Sequence, residues 1–256
     1  MVRVGTPSGS WIPEVRLRRV DSVHRRYCGC ERSSEDVCIA PMWSEALGRT
    51  ERPTGCRFGL VSATMSGTDT QPIKGGSALN VLFVCTGNIC RSPTAERLVA
   101  AYADRLQVPD LAASSAGTRA VIGHPIHDQA ALVLQSLGGD AQNFTAQQLT
   151  PKVALSADLV LTMTKNHRDA VLECAPRMLN RTFTLAEAAC LVTEFGAQTV
   201  MDLAALRPQL TARDVFDIAD PIGSGADVFV TVGAQIADLL APILELLRRS
   251  TKTSRA

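Results

Sequence analysis

The chain has almost no charge of either sign to spare: 26 Lys and Arg against 25 Asp and Glu leave a formal +1 over 256 residues. Such a balance gives no electrostatic footprint for nucleic acid or for an anionic membrane surface. Long uninterrupted apolar runs are missing too. The most apolar stretch, Val228 to Leu247, is broken by Gln235, Asp238, Pro242 and Glu245, and it reads as an amphipathic helix of a soluble protein rather than a membrane span. No apolar segment of signal-peptide type follows the N-terminus, where Arg16, Arg18 and Arg19 fall among scattered apolar residues. Eight cysteines in a chain of this length do not make a disulfide scaffold, and a cytoplasmic setting would keep them mostly reduced. With 46% hydrophobic and 20% charged residues, what remains is a soluble globular protein of one or two domains.

Residues 1–77 also lack periodicity. Arginine pairs at Arg18-Arg19 and Arg25-Arg26 and the turn-forming Pro7-Ser8-Gly9-Ser10 occur with no sustained period of 2 or 3.6, so this part is expected to be a disordered leader. Cys28, Cys30, Cys38 and Cys56 lie there with His24 nearby. Their Cys-x-Cys and irregular spacings match none of the usual zinc pairings, and no metal is expected. Met65 opens a polar stretch ending at Pro72 and is a candidate native start, which would leave residues 1–64 untranslated. The folded domain is expected over residues 78–250.

Against these absences stands one dense stretch, Asn80 to Glu96. Asn80 to Val84 is a short run rich in β-branched and aromatic residues, and Pro93 with Thr94, Ala95, Glu96, Arg97 and Leu98 reads as the first turn of a helix. The loop between them therefore joins a strand to a helix N-terminus, where unpaired N–H groups and the positive end of the helix dipole suit a tetrahedral oxyanion such as phosphate. Cys85 enters this loop and Arg91 leaves it, a Cys-x5-Arg spacing that lets the loop curl once and bring the guanidinium over the sulfur. The Arg fork can then grip two phosphoryl oxygens while the sulfur faces phosphorus. Thiolate is the reactive form of cysteine and is favoured by a helix N-terminus and a nearby guanidinium, so Cys85 is expected to be a nucleophile at neutral pH. Ser92 can donate its hydroxyl to that sulfur. Gly87 and Asn88 are residue types that tolerate a left-handed backbone. The plain alternative, a core cysteine closing a strand, leaves Arg91, Ser92 and Pro93 without a reason.

The run Val81-Leu82-Phe83-Val84-Cys85-Thr86-Gly87-Asn88-Ile89-Cys90-Arg91-Ser92-Pro93 resembles the signature of the low-molecular-weight protein tyrosine phosphatases. It is not a nucleotide-binding loop, since no Gly-Lys-Ser/Thr follows it. The resemblance extends from about Asn80 to about Arg249. It implies a cysteine-dependent phosphatase working through a phosphocysteine, without metal or cofactor, on a phosphorylated protein. Thr86, Gly87, Asn88, Ile89, Cys90 and Ser92 would complete the phosphate loop around Cys85 and Arg91. It also implies that Cys90 pairs with Cys85 under oxidation, as the family's paired cysteines do, and so protects the nucleophile.

Beyond the loop, strand and helix alternate. Helices are expected at Pro93–Gln107, Ile126–Leu137, Lys165–Glu173, Leu185–Phe195 and Ala226–Arg249. Further strands are expected at Leu111–Gly117, Asp158–Met163 and Arg181–Thr184. The expected fold is α/β, a three-layer, doubly wound, four-stranded parallel sheet whose ligand binds beyond the carboxyl ends of the strands. Expulsion of an alkoxide or phenoxide needs a proton donor. Asp220-Pro221, just ahead of the last helix, resembles the family's Asp-Pro general-acid loop, with Asp217 as the competing candidate.

Two departures from the family pattern bear on substrate. Ile222 stands where a tyrosine often follows Asp-Pro, and Val121 and Ile122 replace an aromatic wall. Ile89 stands where the related protein-arginine phosphatases carry threonine, which points back towards phosphotyrosine. His124 and His127 are expected to be solvated or capping residues and His167 a surface residue. Two other readings share the loop: a thiol-dependent arsenate reductase, for which Cys174 and Cys190 would have to relay a disulfide, and a catalytically idle phosphate-binding module.

Overall fold

The computed structural model describes residues 78–108, 110–211 and 216–253. The expected leader, its four cysteines and the candidate start at Met65 lie outside the described residues.

Four parallel strands, β1 (Leu79–Cys85), β2 (Leu111–Gly117), β3 (Leu159–Thr162) and β4 (Thr182–Thr184), form one sheet in the order β2-β1-β3-β4. The side-chain period of two sorts β1 between two cores: Val81, Phe83 and Cys85 face one cluster, Leu82 and Val84 the other. Buried on both faces from Val81 to Cys85, β1 reads there as a continuous apolar run, as a central parallel strand should. β2 lies to one side of β1 and β3 to the other, so the order of winding reverses at β1. The crevice between the ends of β1 and β3 is the topological switch point, where α/β sheets bind ligands.

The helices are α1 (Arg91–Arg105), α2 (Asp128–Ser136), α3 (Pro151–Leu155), α4 (Lys165–Cys174), α5 (Leu185–Thr193), α6 (Val200–Leu206) and α7 (Ala226–Thr253). α7 is long and apolar enough, by length and composition, to cross a membrane. Here its apolar stripe, Phe229, Val232, Ile236, Leu240, Ile243, Leu244 and Leu247, is consumed by the larger core. Each such burial contributes roughly 1.5–3 kcal/mol, enough together to carry the helix through Pro242. The expected strands and long helices are present with ends shifted by a few residues. α3 and α6 were not expected: each is short, and a single buried residue, Ala154 or Leu203, makes no period.

Candidate active site

The loop leaving β1 is held from outside by the segment that follows β2. The carbonyl oxygens of Cys85, Thr86, Gly87 and Ile89 accept from the backbone N–H groups of Thr118, Arg119, Val121 and His127 at 2.8–3.0 Å. With these carbonyls turned outward, the peptide N–H groups between them turn inward, which is how a short loop becomes an anion cradle. Gly117 permits the close approach: a Cβ there would lie 2.5 Å from the Thr86 carbonyl oxygen. Asn88 has φ +55°, the left-handed backbone its residue type tolerates. Gly87 does not need that region, contrary to expectation. A Cβ on it would make only ordinary contacts with Ile89 and Val121 at 3.5 and 3.6 Å, so neither backbone nor space requires a glycine here.

Cys85 is 2% exposed, and its Sγ lies 3.3 Å from the Asn88 backbone N–H, which donates to it, and 3.0 Å from Ser92 Oγ. The direction of the second bond follows from its neighbours. Asn88 Oδ1 accepts from the Gln147 N–H at 2.8 Å, so its Nδ2 donates, to Ser92 Oγ at 2.9 Å and Ser115 Oγ at 2.8 Å. Ser92 thus receives a proton from Asn88 and can direct its own at the sulfur, as the Cys-x5-Arg-Ser reading expects. Ser115 passes its proton to Glu96 Oε2 at 2.5 Å, and burial raises the Glu96 carboxyl above its ordinary value. Two donors, the Asn88 N–H and the Ser92 hydroxyl, thus face the sulfur in a buried pocket.

Arg91 opens α1 and is buried. Its Nη1 donates to the Ile218 carbonyl at 3.0 Å and its Nη2 to Asp220 Oδ2, while Nε is buried with no partner among the described residues. The arginine fork therefore already holds the Asp-Pro loop, bringing Asp220 to the phosphate loop, and Nε remains as an unspent buried donor. Asp217 is placed differently: its Oδ1 accepts from the Lys165 N–H at 2.8 Å, at the start of α4. Around the mouth, Val121, Ile122 and Ile222 are 38%, 69% and 47% exposed, an aliphatic rim. Cys90 is buried at the N-cap of α1, and burial together with the nearby Cys85 sulfur pushes its thiol up to about 12.

His167 corrects the sequence reading. It is 7% exposed, not a surface residue, with Nε2 2.9 Å from Thr86 Oγ1 and Nδ1 2.9 Å from Thr164 Oγ1. Burial, then the Arg91 charge, lowers it to about 4, so it is neutral near pH 7. Its signal in the sequence was position: it sits in the first turn after β3, at the switch point. His127 is a capping residue, accepting from the Gln129 N–H through Nδ1 and stacking on Phe229 at 5.0 Å, and His124 is exposed. Cys174 ends α4, against one face of the sheet, and Cys190 lies in α5, the helix that packs on the other.

A strand-loop-helix cradle with a buried cysteine, a serine aimed at its sulfur and a captive arginine defines a cysteine-dependent phosphatase site. The family model for low molecular weight phosphotyrosine protein phosphatase matches residues 80–190. The probable low molecular weight protein-tyrosine-phosphatase AmsI of Erwinia amylovora is 39% identical over 103 residues, 40% of this chain and 68% of that protein. Among solved structures, the low molecular weight protein tyrosine phosphatase of T. tengcongensis matches with TM-score 0.54 and 30% identity, over 66% of this chain and 99% of the other. The YwlE arginine phosphatase of Geobacillus stearothermophilus matches with TM-score 0.51 and 30% identity, over 65% and 91%. The chain belongs to the low-molecular-weight protein-tyrosine-phosphatase family, whose activity is cysteine-dependent phosphomonoester hydrolysis. The matched stretches span between 62% and 71% of the curated relatives, and the family model ends before the Asp-Pro loop.

Proposed function

We propose that the protein dephosphorylates phosphotyrosine in a protein substrate, in the cytoplasm, through a phosphocysteine on Cys85. Cys85 attacks phosphorus in line. Arg91 and the inward N–H groups of the loop hold the equatorial oxygens, and Asp220 protonates the departing phenol. Water then cleaves the thiophosphate with Asp220 as base, releasing phosphate and returning the proton to the carboxyl.

The observation that carries this reading is the join made by Arg91. One guanidinium ties the acid loop to the cradle while its buried Nε stays available to an oxyanion. Asp220 is favoured over Asp217 as the acid because its carboxylate lies on Arg91, whereas that of Asp217 serves the start of α4. An idle binding module would need neither a thiolate-stabilising Ser92 nor a carboxyl at the cradle. An arsenate reductase would need Cys174 and Cys190 close together, and their helices pack on opposite faces of the sheet. The apolar stripe of α7 is spent inside the domain, which supports a setting in solution rather than in a membrane.

The aliphatic rim and the likeness to an arginine phosphatase favour phosphoarginine as the second reading. Turnover of matched phosphotyrosyl and phosphoarginyl peptides, with arsenate reduction assayed on the same sample, separates the three. Preference for the phosphotyrosyl peptide is expected. Faster release of phosphate from the phosphoarginyl peptide, or thiol-driven arsenate reduction, would overturn the proposal.

A further inference from the structure

The start of α4 touches both loops of the site. On one side, His167 reaches Thr86, the residue after the nucleophile, and its other ring nitrogen is fixed by Thr164, whose Oγ1 also accepts the His167 backbone N–H at 3.2 Å. On the other side, the acid loop docks through two bonds: the Ile218 N–H donates to the Met163 carbonyl at 2.9 Å, and the Lys165 N–H donates to Asp217 Oδ1 at 2.8 Å. The turn itself is anchored to β1, since the Met163 N–H donates to the Val84 carbonyl at 3.0 Å. Between these bonds Ile218 is buried at 1% exposure, and its carbonyl meets Arg91. Asp217 and Asp220 are themselves exposed beside the buried Ile218 and Pro221, and their carboxylates are oriented by directed bonds.

We propose that the first turn of α4 is a spacer that fixes the phosphate loop and the acid loop relative to each other, with His167 positioning the first and Asp217 the second. The proposal rests on Asp220 as the general acid. Asp217 then acts through Asp220: its bond to Lys165 limits how far the acid can swing from the leaving oxygen. His167 acts through Thr86, and it suits this task because a neutral imidazole bonded at both nitrogens adds no charge beside Arg91. Misplacement by about 1 Å can cost a positioned group ~10²-fold, so a lost tether should show in the step that uses that group and not in the other.

The test is the ratio of kcat/KM for phenyl phosphate to that for p-nitrophenyl phosphate, together with inhibition by vanadate, on full-length Asp217→Ala, Asp217→Asn, Asp220→Asn, His167→Leu and His167→Gln. Asp217→Ala should lower the ratio roughly tenfold with vanadate inhibition retained. Asp217→Asn, which keeps a carbonyl oxygen for the Lys165 N–H, should restore most of it. His167→Leu should weaken vanadate roughly tenfold and leave the ratio in place, and His167→Gln, whose amide can reach Thr86, should recover affinity even if the leucine variant folds poorly. Wild-type ratios in both Asp217 variants beside a low ratio in Asp220→Asn would overturn the spacer and leave the acid assignment standing. A low ratio in Asp217→Asn with a wild-type ratio in Asp220→Asn would overturn both, because Asp217 would then be the acid.

Discussion

The two loops of the site are built on opposite plans. In the phosphate loop, Cys85, Asn88, Arg91 and Ser92 are all buried, and a directed chain of hydrogen bonds runs from Gln147 through Asn88 and Ser92 to the sulfur. In the acid loop Ile218 and Pro221 are buried, while Asp217 and Asp220 lie at the surface, Asp217 bonded to the start of α4 and Asp220 to Arg91 and to the Ile222 N–H. On the proposed mechanism Cys85 is the nucleophile, and attack on phosphorus gains from a rigid, preorganised field. On the same mechanism the acid gives up a proton, lets water in and takes the proton back, a task that a tethered but exposed carboxylate suits.

The largest effect should come from the rigid loop. Cys85→Ser should lose at least about 10³-fold in turnover, since a serine hydroxyl is not ionised there, while vanadate binding survives weakly. Arg91→Lys should be severely impaired, because an ammonium cannot hold Ile218, Asp220 and an oxyanion at once. Steady-state kinetics with p-nitrophenyl phosphate check both, and near-wild-type turnover in either would break the contrast between the loops.

Asp220→Asn comes next. Its loss should approach ~10²–10⁴-fold on phenyl phosphate and be far smaller on p-nitrophenyl phosphate, whose leaving group needs little help. A series of aryl phosphates of rising leaving-group pKa measures this: the variant should show a steep dependence and wild type a shallow one.

The phosphate loop was almost wholly legible in the sequence because its parts are contiguous and each has a local reason to be there: the strand, Cys85, Arg91, Ser92 and the helix start. For the acid the sequence put Asp220 ahead of Asp217 by its place before Pro221, but an Asp before Pro is common, and the contacts that distinguish the two, with Arg91 and with Lys165, lie far away along the chain. His167 was not legible as a site residue. Its neighbours Lys165, Asn166 and Arg168 are polar and look like a solvated helix face, and it is buried only because β3 lies beside β1. α3 and α6 carried their caps in plain view, Thr150 before Pro151 and Thr199 with Asp202, but too few apolar residues to register as helices. Gly87 misled in the other direction, a glycine whose backbone stays out of the left-handed region.

Oxidation should sharpen the contrast, because both of its partners belong to the rigid loop. Peroxide should convert Cys85 to a sulfenic acid, and the Cys90 thiol should displace water from it to give a disulfide that dithiothreitol reduces. The high value of the Cys90 thiol should make that second step faster as pH rises. Peroxide followed by dithiothreitol checks this: wild type should recover and Cys90→Ala should not.

A smaller effect concerns stability. His167 is lowered from its ordinary 6.5 to about 4 by burial, then by Arg91 with Arg119 adding to it, against the opposing pull of Asp220 and Asp217. Between these values the unfolded chain binds the proton and the folded chain does not, so stability falls as pH drops from about 6.5 towards 4. Urea unfolding of wild type and His167→Gln across that window should show a shallower loss in the variant. The smallest effect should follow removal of residues 1–64: a chain beginning at Met65 should keep full turnover, since every proposed catalytic group lies between Cys85 and Asp220. An insoluble or inactive product would show that the leader belongs to the domain.

The central claim is the covalent intermediate, and mass analysis of peptides from enzyme quenched in acid during turnover tests it most directly. Asp220→Asn, slowed in thiophosphate hydrolysis by loss of its base, should accumulate one phosphoryl group on the Cys85 peptide with p-nitrophenyl phosphate as substrate, and Cys85→Ser should carry no such turnover-dependent label. Continued release of p-nitrophenol by Asp220→Asn with Cys85 unlabelled throughout, or with the label on another residue, would contradict the account.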